Sequence, residues 1–301
     1  MQQSPLGGLV AEPRRSTRPR VGIIGAGRVG AALGGALVRS GYELVGVAAR
    51  SDASRVRAAA LLPTAPLLEP GEVAARADFV LLTVPDDALA SVVLALVEAG
   101  SVRPGLVVVH ASGRHGLAVL DAAADAGAIP LALHPAMTFS GAAGDVDRLP
   151  GTHFGVTARG RHWALAEQLV AAVGGHPVSV PEELRPLWHA GLAHGANHLV
   201  TLVGSALDVI RATGASDPAA VLRPLLTAAL DGALTAGMDA LTGPIARGDA
   251  DTVAAHLSAL GASAAAERSL YLSMAQATAD RAPRVASEGM LRTLSNARSL
   301  A

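Results

Sequence analysis

The clearest chemical feature of the sequence is a glycine pattern near its N-terminus. Its spacing is G-x-G-x-x-G, and the six residues are Gly25, Ala26, Gly27, Arg28, Val29 and Gly30. In such a loop the first glycine permits a tight turn, the second lets a pyrophosphate approach the backbone, and the third allows a helix to pack closely on a strand. The pattern therefore predicts a dinucleotide site, with a mere tight turn as the alternative, since the chain contains 33 glycines.

A second position, about 20 residues beyond the first glycine, indicates which dinucleotide would bind. A carboxylate at this point accepts hydrogen bonds from the ribose hydroxyls of NAD, but here the chain has Arg50 and Ser51. A guanidinium binds phosphate oxygens with paired, charge-assisted hydrogen bonds, and Arg28 and Arg55 would add positive charge. We therefore predict NADP (NADPH) rather than NAD, the alternative for Arg50 being a solvated strand end.

Further candidates follow predicted strands, because ligands of open parallel sheets lie outside the carboxyl ends of the strands. We expect Val84, Pro85 and His110 to line the cofactor site. Ser112, in a turn that ends in glycine, would bond a substrate carbonyl or carboxylate, and His134 would contact the substrate. The alternative for both histidines is a structural role, as a buried imidazole bonded to backbone or as a turn former.

The C-terminal half offers a candidate general acid. Such a group must be protonated near neutral pH on a rigid element, which favours His189, with Asn197 as the second candidate. His194 and His198 have the spacing of a metal pair on a helix, but no cysteine or acidic residue lies nearby, so we predict no metal site.

The elements that must position these residues alternate between strand and helix. Strands are predicted over 21–25, 42–49, 79–84, 106–110, 129–133, 153–157 and 177–180, and helices over 28–40, 86–98 and 161–173. This alternation is typical of an α/β fold with a doubly wound, Rossmann-like parallel sheet. From residue 182 onward alanine and leucine dominate, which predicts an all-helical C-terminal domain. We expect a disordered tail over 1–19, a dinucleotide-binding domain over 20–181 and a helical substrate and dimerisation domain over 182–301.

Composition excludes several classes of protein. Half of the residues are apolar, 16% are charged, the formal net charge is −1 and cysteine is absent. These values argue against a nucleic-acid binder, a disulfide scaffold and a thiolate metal site. The uncharged stretch 187–207 is long enough for a membrane span, but its histidines and asparagine favour burial inside protein. With no secretion signal in the tail, we expect a cytoplasmic protein without membrane partners.

Several of these motifs occur together in one known family. They are the loop at 25–30, the segments at 49–51, 84–86, 110–113 and 134–135, Trp188-His189 with Asn197, and the string from Leu241 to Asp249. The chain resembles Rossmann-like oxidoreductases joined to a helical C-terminal domain of originally unknown function. That family is related to ketopantoate reductases, pyrroline-carboxylate reductases and 3-hydroxyacid dehydrogenases, and the resemblance covers nearly the whole chain beyond the tail.

The resemblance implies roles for particular residues. In ketopantoate reductases a Trp-x-Lys opens a buried helix and the lysine protonates the substrate carbonyl; counting back from Asn197 puts His189 where that lysine falls. Thr242 and Arg247, within the distinctive string, are substrate candidates. From residue chemistry alone, Arg247 or Arg185 would pair a substrate carboxylate, with an exposed salt bridge as the alternative for either. A place in pantothenate biosynthesis is likewise implied by the resemblance alone.

We therefore expect an enzyme, an NADP(H)-dependent oxidoreductase that reduces a small 2-oxo acid, with 2-dehydropantoate (ketopantoate) as the best single candidate. An imine reductase of the pyrroline-carboxylate type is one alternative, and a non-catalytic dinucleotide-binding or sensor protein is another. The partner is a small-molecule substrate, and the apolar helical domain predicts a homodimer through residues beyond Glu182.

Overall fold

The structure is a computed structural model that describes residues 19–282 and 288–299. Residues 1–18, nearly all of the predicted tail, lie outside the described residues. The chain divides into two compact units, Met1–Ala193 and His194–Ala301. The division lies inside a long helix, Arg185–Ala212, and the domain boundary expected between residues 181 and 182 stays a prediction.

The first unit is built on one seven-stranded sheet. Its strands are β1 (Arg20–Ile24), β2 (Glu43–Ala48), β3 (Phe79–Leu82), β4 (Val107–His110), β5 (Ile129–Pro135), β6 (His153–Thr157) and β7 (His176–Ser179), in the order β2-β1-β3-β4-β5-β6-β7. The predicted α/β fold is confirmed, with one correction: β5 and β6 pair antiparallel. A parallel pair needs a crossover, usually a helix, whereas the β5–β6 connection contains only a four-residue helical turn.

Both faces of this sheet are buried. Ile23 and Leu81 pack in a core on one face, whereas Val80 and Leu82 pack in a core on the other. Successive strand residues point to opposite faces, so continuous apolar runs mean that helices cover both faces. The helices of this unit are α1 (Arg28–Arg39), α2 (Asp52–Leu61), α3 (Pro70–Arg76), α4 (Leu89–Glu98), α5 (Asp121–Asp125), α6 (Gly144–Asp147) and α7 (Trp163–Ala172).

The second unit is helical in its described part, as predicted. Its elements are the C-terminal part of α8 (Arg185–Ala212), α9 (Pro218–Ala236), α10 (Pro244–Arg247), α11 (Ala250–Ser263), α12 (Ala265–Arg281) and α13 (Glu288–Ser299). Helices α11 to α13 share a core that includes Val253, Leu272 and Met290. By contrast, the only buried residue of α9 is Leu222, so most of its apolar surface is open.

One stretch of the described residues, Pro218–Arg247, is long and apolar enough to cross a membrane by length and composition, with a mean hydropathy of 1.3. The stretch 187–207, which the sequence predicted to be buried inside protein, is not this span. Its burial is not observed within this chain, because Arg185 is the only buried residue of the helix Arg185–Ala212. The continuous helix of the apolar span, α9, ends at Ala236, and Gly237 and Gly243 follow with φ of 58° and 102°. Core helices of soluble proteins that meet the same length and composition test are mostly buried, whereas only 6% of this apolar window is buried inside the structure.

Candidate functional site

The glycine loop connects β1 to α1 and is held against the end of β3. Gly25 has φ of 99°, which L side chains rarely adopt. A Cβ on Gly30 would lie 2.2 Å from both the Gly25 oxygen and Thr83 Oγ1. The Thr83 hydroxyl donates a 2.6 Å hydrogen bond to that same Gly25 oxygen. The packing around Thr83 therefore requires glycine at both positions.

Gly27 has a different environment. A Cβ there would meet only the Thr83 carbonyl oxygen, at 3.8 Å, which is an ordinary contact. Gly27 is also the N-cap of α1, whose first turn has no side-chain cap and no acidic residue. The helix N-terminus therefore presents its amide groups to open space, which is the arrangement that binds phosphate. Close contacts within the protein explain why residues 25 and 30 are glycine. At residue 27 the protein itself leaves room for a side chain, so we attribute this glycine to the space that a ligand would need.

Basic and hydroxyl side chains surround the end of β2, close to this loop. Arg50 and Ser51 are exposed, and Ser51 caps α2 by accepting a 3.2 Å bond from Ser54 N. Arg55 donates to the Ala49 carbonyl oxygen at 3.2 Å. Arg57, which sequence reasoning missed, donates to the Ala26 carbonyl oxygen at 3.3 Å. These arginines form a cationic edge suited to a phosphate group.

The loop after β5 lies on the same arginines. A Cβ on Gly141 would lie 3.0 Å from Arg28 Cγ and 3.1 Å from Arg57 Nε. Asp145 anchors this loop by accepting bonds from Gly141 N at 2.7 Å and from Ser140 Oγ at 2.8 Å. Burial alone would raise the Asp145 pKa, but these bonds and one from Arg148 lower it to about 2.

Val84 and Pro85 follow β3 beside the glycine loop. A Cβ on Gly25 would lie 2.8 Å from Val84 N, so the two segments are in direct contact. Val84 is half-buried and Pro85 is exposed. Both are therefore next to the candidate phosphate loop, where the sequence placed them.

His110, at the end of β4, is fully buried and organises a turn. Its Nε2 lies 2.8 Å from the Gly116 carbonyl oxygen, and its Nδ1 accepts a 3.2 Å bond from Ser112 N. Burial, which outweighs the bond to Gly116, lowers its pKa to about 4. Both ring nitrogens are therefore used inside the protein, which matches the structural alternative for this histidine more closely than cofactor contact through its nitrogens.

Ser112 is also buried and belongs to the same turn. Its hydroxyl oxygen accepts a 3.2 Å bond from His115 N. Its carbonyl oxygen accepts a short bond from a guanidinium nitrogen of Arg185. These bonds do not use the hydroxyl hydrogen of Ser112, which could therefore be donated to a substrate.

Arg185, the first residue of α8, is completely buried. Besides Ser112 it donates to the Gly155 carbonyl oxygen at 3.3 Å and to Thr157 Oγ1 at 3.0 Å. Burial lowers its pKa to about 10, against the favourable charges of Glu182 and Asp86. Arg185 thus ties the start of α8 to β6 and to the turn after β4, and burial prevents the direct substrate contact proposed for it.

His134 and His189 meet beside this turn. Their rings are edge to face, with centroids 5.7 Å apart. A Cβ on Gly113 would lie 2.9 Å from His134 Nε2 and 2.6 Å from His189 Cδ2. The Trp188 indole N–H donates a 3.1 Å bond to His134 Nδ1. Thus Ser112, His134 and His189, predicted separately, lie in one cluster at the carboxyl ends of β4 and β5.

The other predicted residues belong to the second unit. Asn197, Thr242 and Arg247 are all exposed. The remaining residues of their string have backbone roles: Gly248 ends α10 with φ of 74° and Asp249 caps α11 by accepting a 3.1 Å bond from Thr252 N. His194 and His198 have their Nδ1 atoms 2.7 Å apart. Among the described residues, no group of three or more histidine or acidic side chains could hold a metal.

One positioning residue of the site, Arg57, was missed from the sequence. Trp188 and Arg185 were among the sequence candidates, but their contacts with His134 and Ser112 were not predicted. One local signal existed: Gly155, inside the predicted strand 153–157, marks a close approach, and a Cβ there would lie 2.7 Å from the Trp188 indole nitrogen.

Comparison with known proteins agrees with this architecture. Residues 6–135 match the family model of a Rossmann-like domain, and residues 152–278 match the model of a domain of unknown function, DUF2520. No curated protein matches the chain.

Solved structures with similar folds share little sequence with the chain. A Bacteroides fragilis protein named as an NADP oxidoreductase has a TM-score of 0.74 and 21% identity, over 88% of this chain and 99% of that one. An imine reductase from a Pseudomonas species has a TM-score of 0.62 and 21% identity, over 94% and 100%. Plasmodium falciparum pyrroline carboxylate reductase, solved with NADP bound, has a TM-score of 0.55 and 10% identity, over 94% and 98%.

At these identities the solved structures support the fold and leave the reaction open. The two domain matches lie in the order that the sequence resemblance implied, a Rossmann-like part followed by a C-terminal domain of once unknown function. The chain therefore combines a Rossmann-like domain with a following DUF2520 domain.

Proposed function

We propose that the protein is an NADP(H)-dependent oxidoreductase that reduces a small 2-oxo acid, with 2-dehydropantoate as the first substrate to test. The observation that carries this proposal is the position of two groups at the same edge of the sheet. The open glycine loop with its arginines lies at the carboxyl ends of β1 and β2, and the histidine cluster lies at those of β4 and β5. This edge is where doubly wound sheets bind ligands.

For the cofactor we propose NADP rather than NAD. The amides at the start of α1 would hold the pyrophosphate, and Arg50, Ser51 and Arg57 would hold the additional phosphate. The NADP named for some of the structural neighbours supports this choice, although another neighbour was solved with NAD⁺.

His189 is our candidate proton donor, because it is exposed beside the half-buried His134 and the Ser112 turn. When bound, the reduced cofactor supplies the hydride to the carbonyl carbon. The carbonyl oxygen then takes a proton, which we assign to the His189 imidazolium, while the Ser112 hydroxyl orients the substrate. Asn197, Thr242 and Arg247 are kept as further substrate candidates in the second unit.

The direct test is turnover of NADPH by the purified protein with a panel of 2-oxo acids, including 2-dehydropantoate. We expect His189→Ala to lower kcat by about 100-fold while leaving NADPH affinity unchanged. Unchanged turnover in that variant would remove His189 from the proton-donor role. A matched control is His194→Ala on the same helix, which we expect to behave like the parent protein.

An imine reductase is the second candidate function, because several structural neighbours are named as imine reductases. A panel of cyclic imines under the same conditions separates the two reactions. Tight binding of NADPH in calorimetry without turnover of any substrate would instead support the sensor alternative.

We also propose a cytoplasmic homodimer formed through the second unit. Large apolar side chains of α8 and α9 are exposed, among them Val200, Leu225 and Leu234, at 73%, 64% and 79%. No charged residue occurs from 186 to 207, which does not suit a helix facing water. A second copy of the chain presents the same apolar helices and would cover them.

Light scattering tests this assembly. We expect a particle of twice the 30.1 kDa chain mass at micromolar concentration. A 30 kDa particle would contradict the dimer, and flotation with phosphatidylcholine vesicles would indicate a membrane surface as the occupant instead.

A further inference from the structure

The bond between Trp188 and His134 determines which nitrogen of His134 carries a proton. An indole nitrogen can only donate, so the 3.1 Å contact with Nδ1 requires a lone pair on that atom. A neutral imidazole with a bare Nδ1 carries its proton on Nε2. His134 is therefore the Nε2–H tautomer as long as this bond is formed.

The packing holds this geometry from both sides. The indole of Trp188 lies on β6 where Gly155 leaves room, since a Cβ there would be 2.7 Å from the indole nitrogen. On the other side, His134 Nε2 faces Gly113, where a Cβ would be 2.9 Å away. Gly155 on β6 thus admits the tryptophan, and Gly113 in the turn after β4 leaves the Nε2–H side of His134 beside His189.

The charges around His134 keep it neutral. Its pKa is lowered to about 4, by burial first and then by the charges of Arg185 and His189, with Asp86 acting in the opposite direction. Asp86 is itself paired with Arg114 at 3.2 Å. Protonation at Nδ1 would also break the bond from Trp188, because two donors would then face each other.

We propose that Trp188 is a positioning residue that fixes His134 as a permanent N–H donor beside His189, and that this donor selects substrates with an acceptor oxygen. The selection rests on the proposed function. At the reacting group, a carbonyl oxygen accepts a hydrogen bond from Nε2–H, whereas a protonated imine has no lone pair on its nitrogen and presents an N–H of its own. The site therefore favours oxo acids over iminium substrates.

The tautomer is measured directly by nitrogen NMR of the full chain labelled with ¹⁵N-histidine, without cofactor or substrate, the His134 signals being assigned with His134→Gln. At pH 7 we expect a pyridine-type Nδ1 and a pyrrole-type Nε2 in the parent protein. Trp188→Phe keeps an aromatic ring but removes the donor, and we expect its His134 signals to move towards the average of the two tautomers. Trp163→Phe, at the only other tryptophan of the sequence, should leave them unchanged.

A protonated Nδ1 in the parent protein would overturn the proposal, and so would His134 signals that do not move in Trp188→Phe. If that variant proves poorly folded, the signals of the parent protein decide the tautomer by themselves. This result does not depend on activity, so it stands or fails separately from the proposed function.

The selection is tested by kinetics with an oxo acid and a cyclic imine. His134→Leu removes the donor and should lower kcat/KM for the oxo acid by about 100-fold while changing the imine value by less than threefold. His134→Gln retains an N–H and should recover most of the loss. Equal losses with both substrates would overturn the selection, whereas turnover of neither substrate by the parent protein would contradict the proposed function and leave the tautomer result intact.

Discussion

The two units of this chain differ in where their side chains find partners. In the first unit, polar groups of the candidate site are bonded inside the unit: Arg185 bonds three partners there, and His110 uses both ring nitrogens. In the second unit, α9 buries only Leu222 and leaves large apolar side chains exposed.

This difference separates two kinds of sequence signal. The geometry of the loop 25–30 is explained by contacts within the first unit, whereas the described contacts of the second unit do not explain the exposed apolar side chains of α8 and α9. The contacts of the first unit therefore indicate which ligand the protein binds. The exposed apolar helices of the second unit indicate that another surface covers them.

The largest effect is expected at the apolar helices. Leu225→Glu places a charge on the proposed dimer surface, and we expect the dimer dissociation constant to rise at least 100-fold, because an unpaired buried charge is strongly unfavourable. Light scattering over a dilution series measures it. Val56→Glu is the matched control, since Val56 is 69% exposed in the first unit and should leave the mass unchanged.

The next effect compares two glycines of the phosphate loop. Gly30→Ala inserts a methyl group 2.2 Å from two atoms, and we expect a loss of 1–3 kcal/mol in the free energy of unfolding (roughly the range for overpacking). Gly27→Ala makes only an ordinary contact, with the Thr83 carbonyl oxygen at 3.8 Å, and should keep its stability while NADPH affinity falls about tenfold, since the ligand needs that space. Urea unfolding and calorimetry check the two results. Equal stability losses in both variants would contradict the distinction.

Acid should destabilise the first unit through its neutral histidines. The pKa of His110 is about 4 in the folded protein and about 6.5 when unfolded. The unfolded chain therefore binds more protons, and stability present above pH 6.5 is lost as the pH falls from 6.5 to 4. At pH 5 the loss is about 2 kcal/mol for such a histidine.

His110→Gln cannot take up this proton. Between pH 7 and pH 5, the free energy of unfolding of this variant, measured in urea, should therefore fall by about 2 kcal/mol less than that of the parent protein. Parallel pH curves for the two proteins would show that His110 does not carry this dependence.

A smaller effect is expected at the cationic edge. Arg50→Ala should weaken NADPH binding about tenfold and leave NADH binding unchanged, because only NADPH carries the phosphate that this guanidinium would bind. Calorimetric titration with both cofactors measures the ratio. Arg76→Ala, on α3 in a pair with Glu72, serves as the control. A parallel loss for both cofactors would assign Arg50 to the shared part of the dinucleotide.

The smallest effect concerns the string from Thr242 to Asp249. Asp249→Ala removes the cap of α11 and should lower the melting temperature by about 2–4 °C. Its kcat/KM should not change, because we assign this residue to helix capping. A selective loss of activity at unchanged melting temperature would instead place it in the site.

The sequence predicted the features that depend on neighbours along the chain. The glycine loop, Arg50 at the end of β2 and the alternation of strands and helices all lie where the pattern placed them, since turns, caps and apolar runs are local. The prediction failed where the direction of strand pairing matters: a parallel sheet was expected, yet β5 and β6 pair antiparallel. Arg57 was missed because its contact with the loop depends on how α2 packs.

Only the tertiary structure decided how the candidate site is assembled. His134 and Trp188 are 54 residues apart, and Arg185 bonds to Ser112 over 73 residues. The antiparallel pairing of β5 and β6 brings Gly155 under the indole and so sets the proton on His134. Residue types and spacing along one segment determine local conformation, whereas these contacts depend on strand order and on the packing of α8, which no single segment encodes.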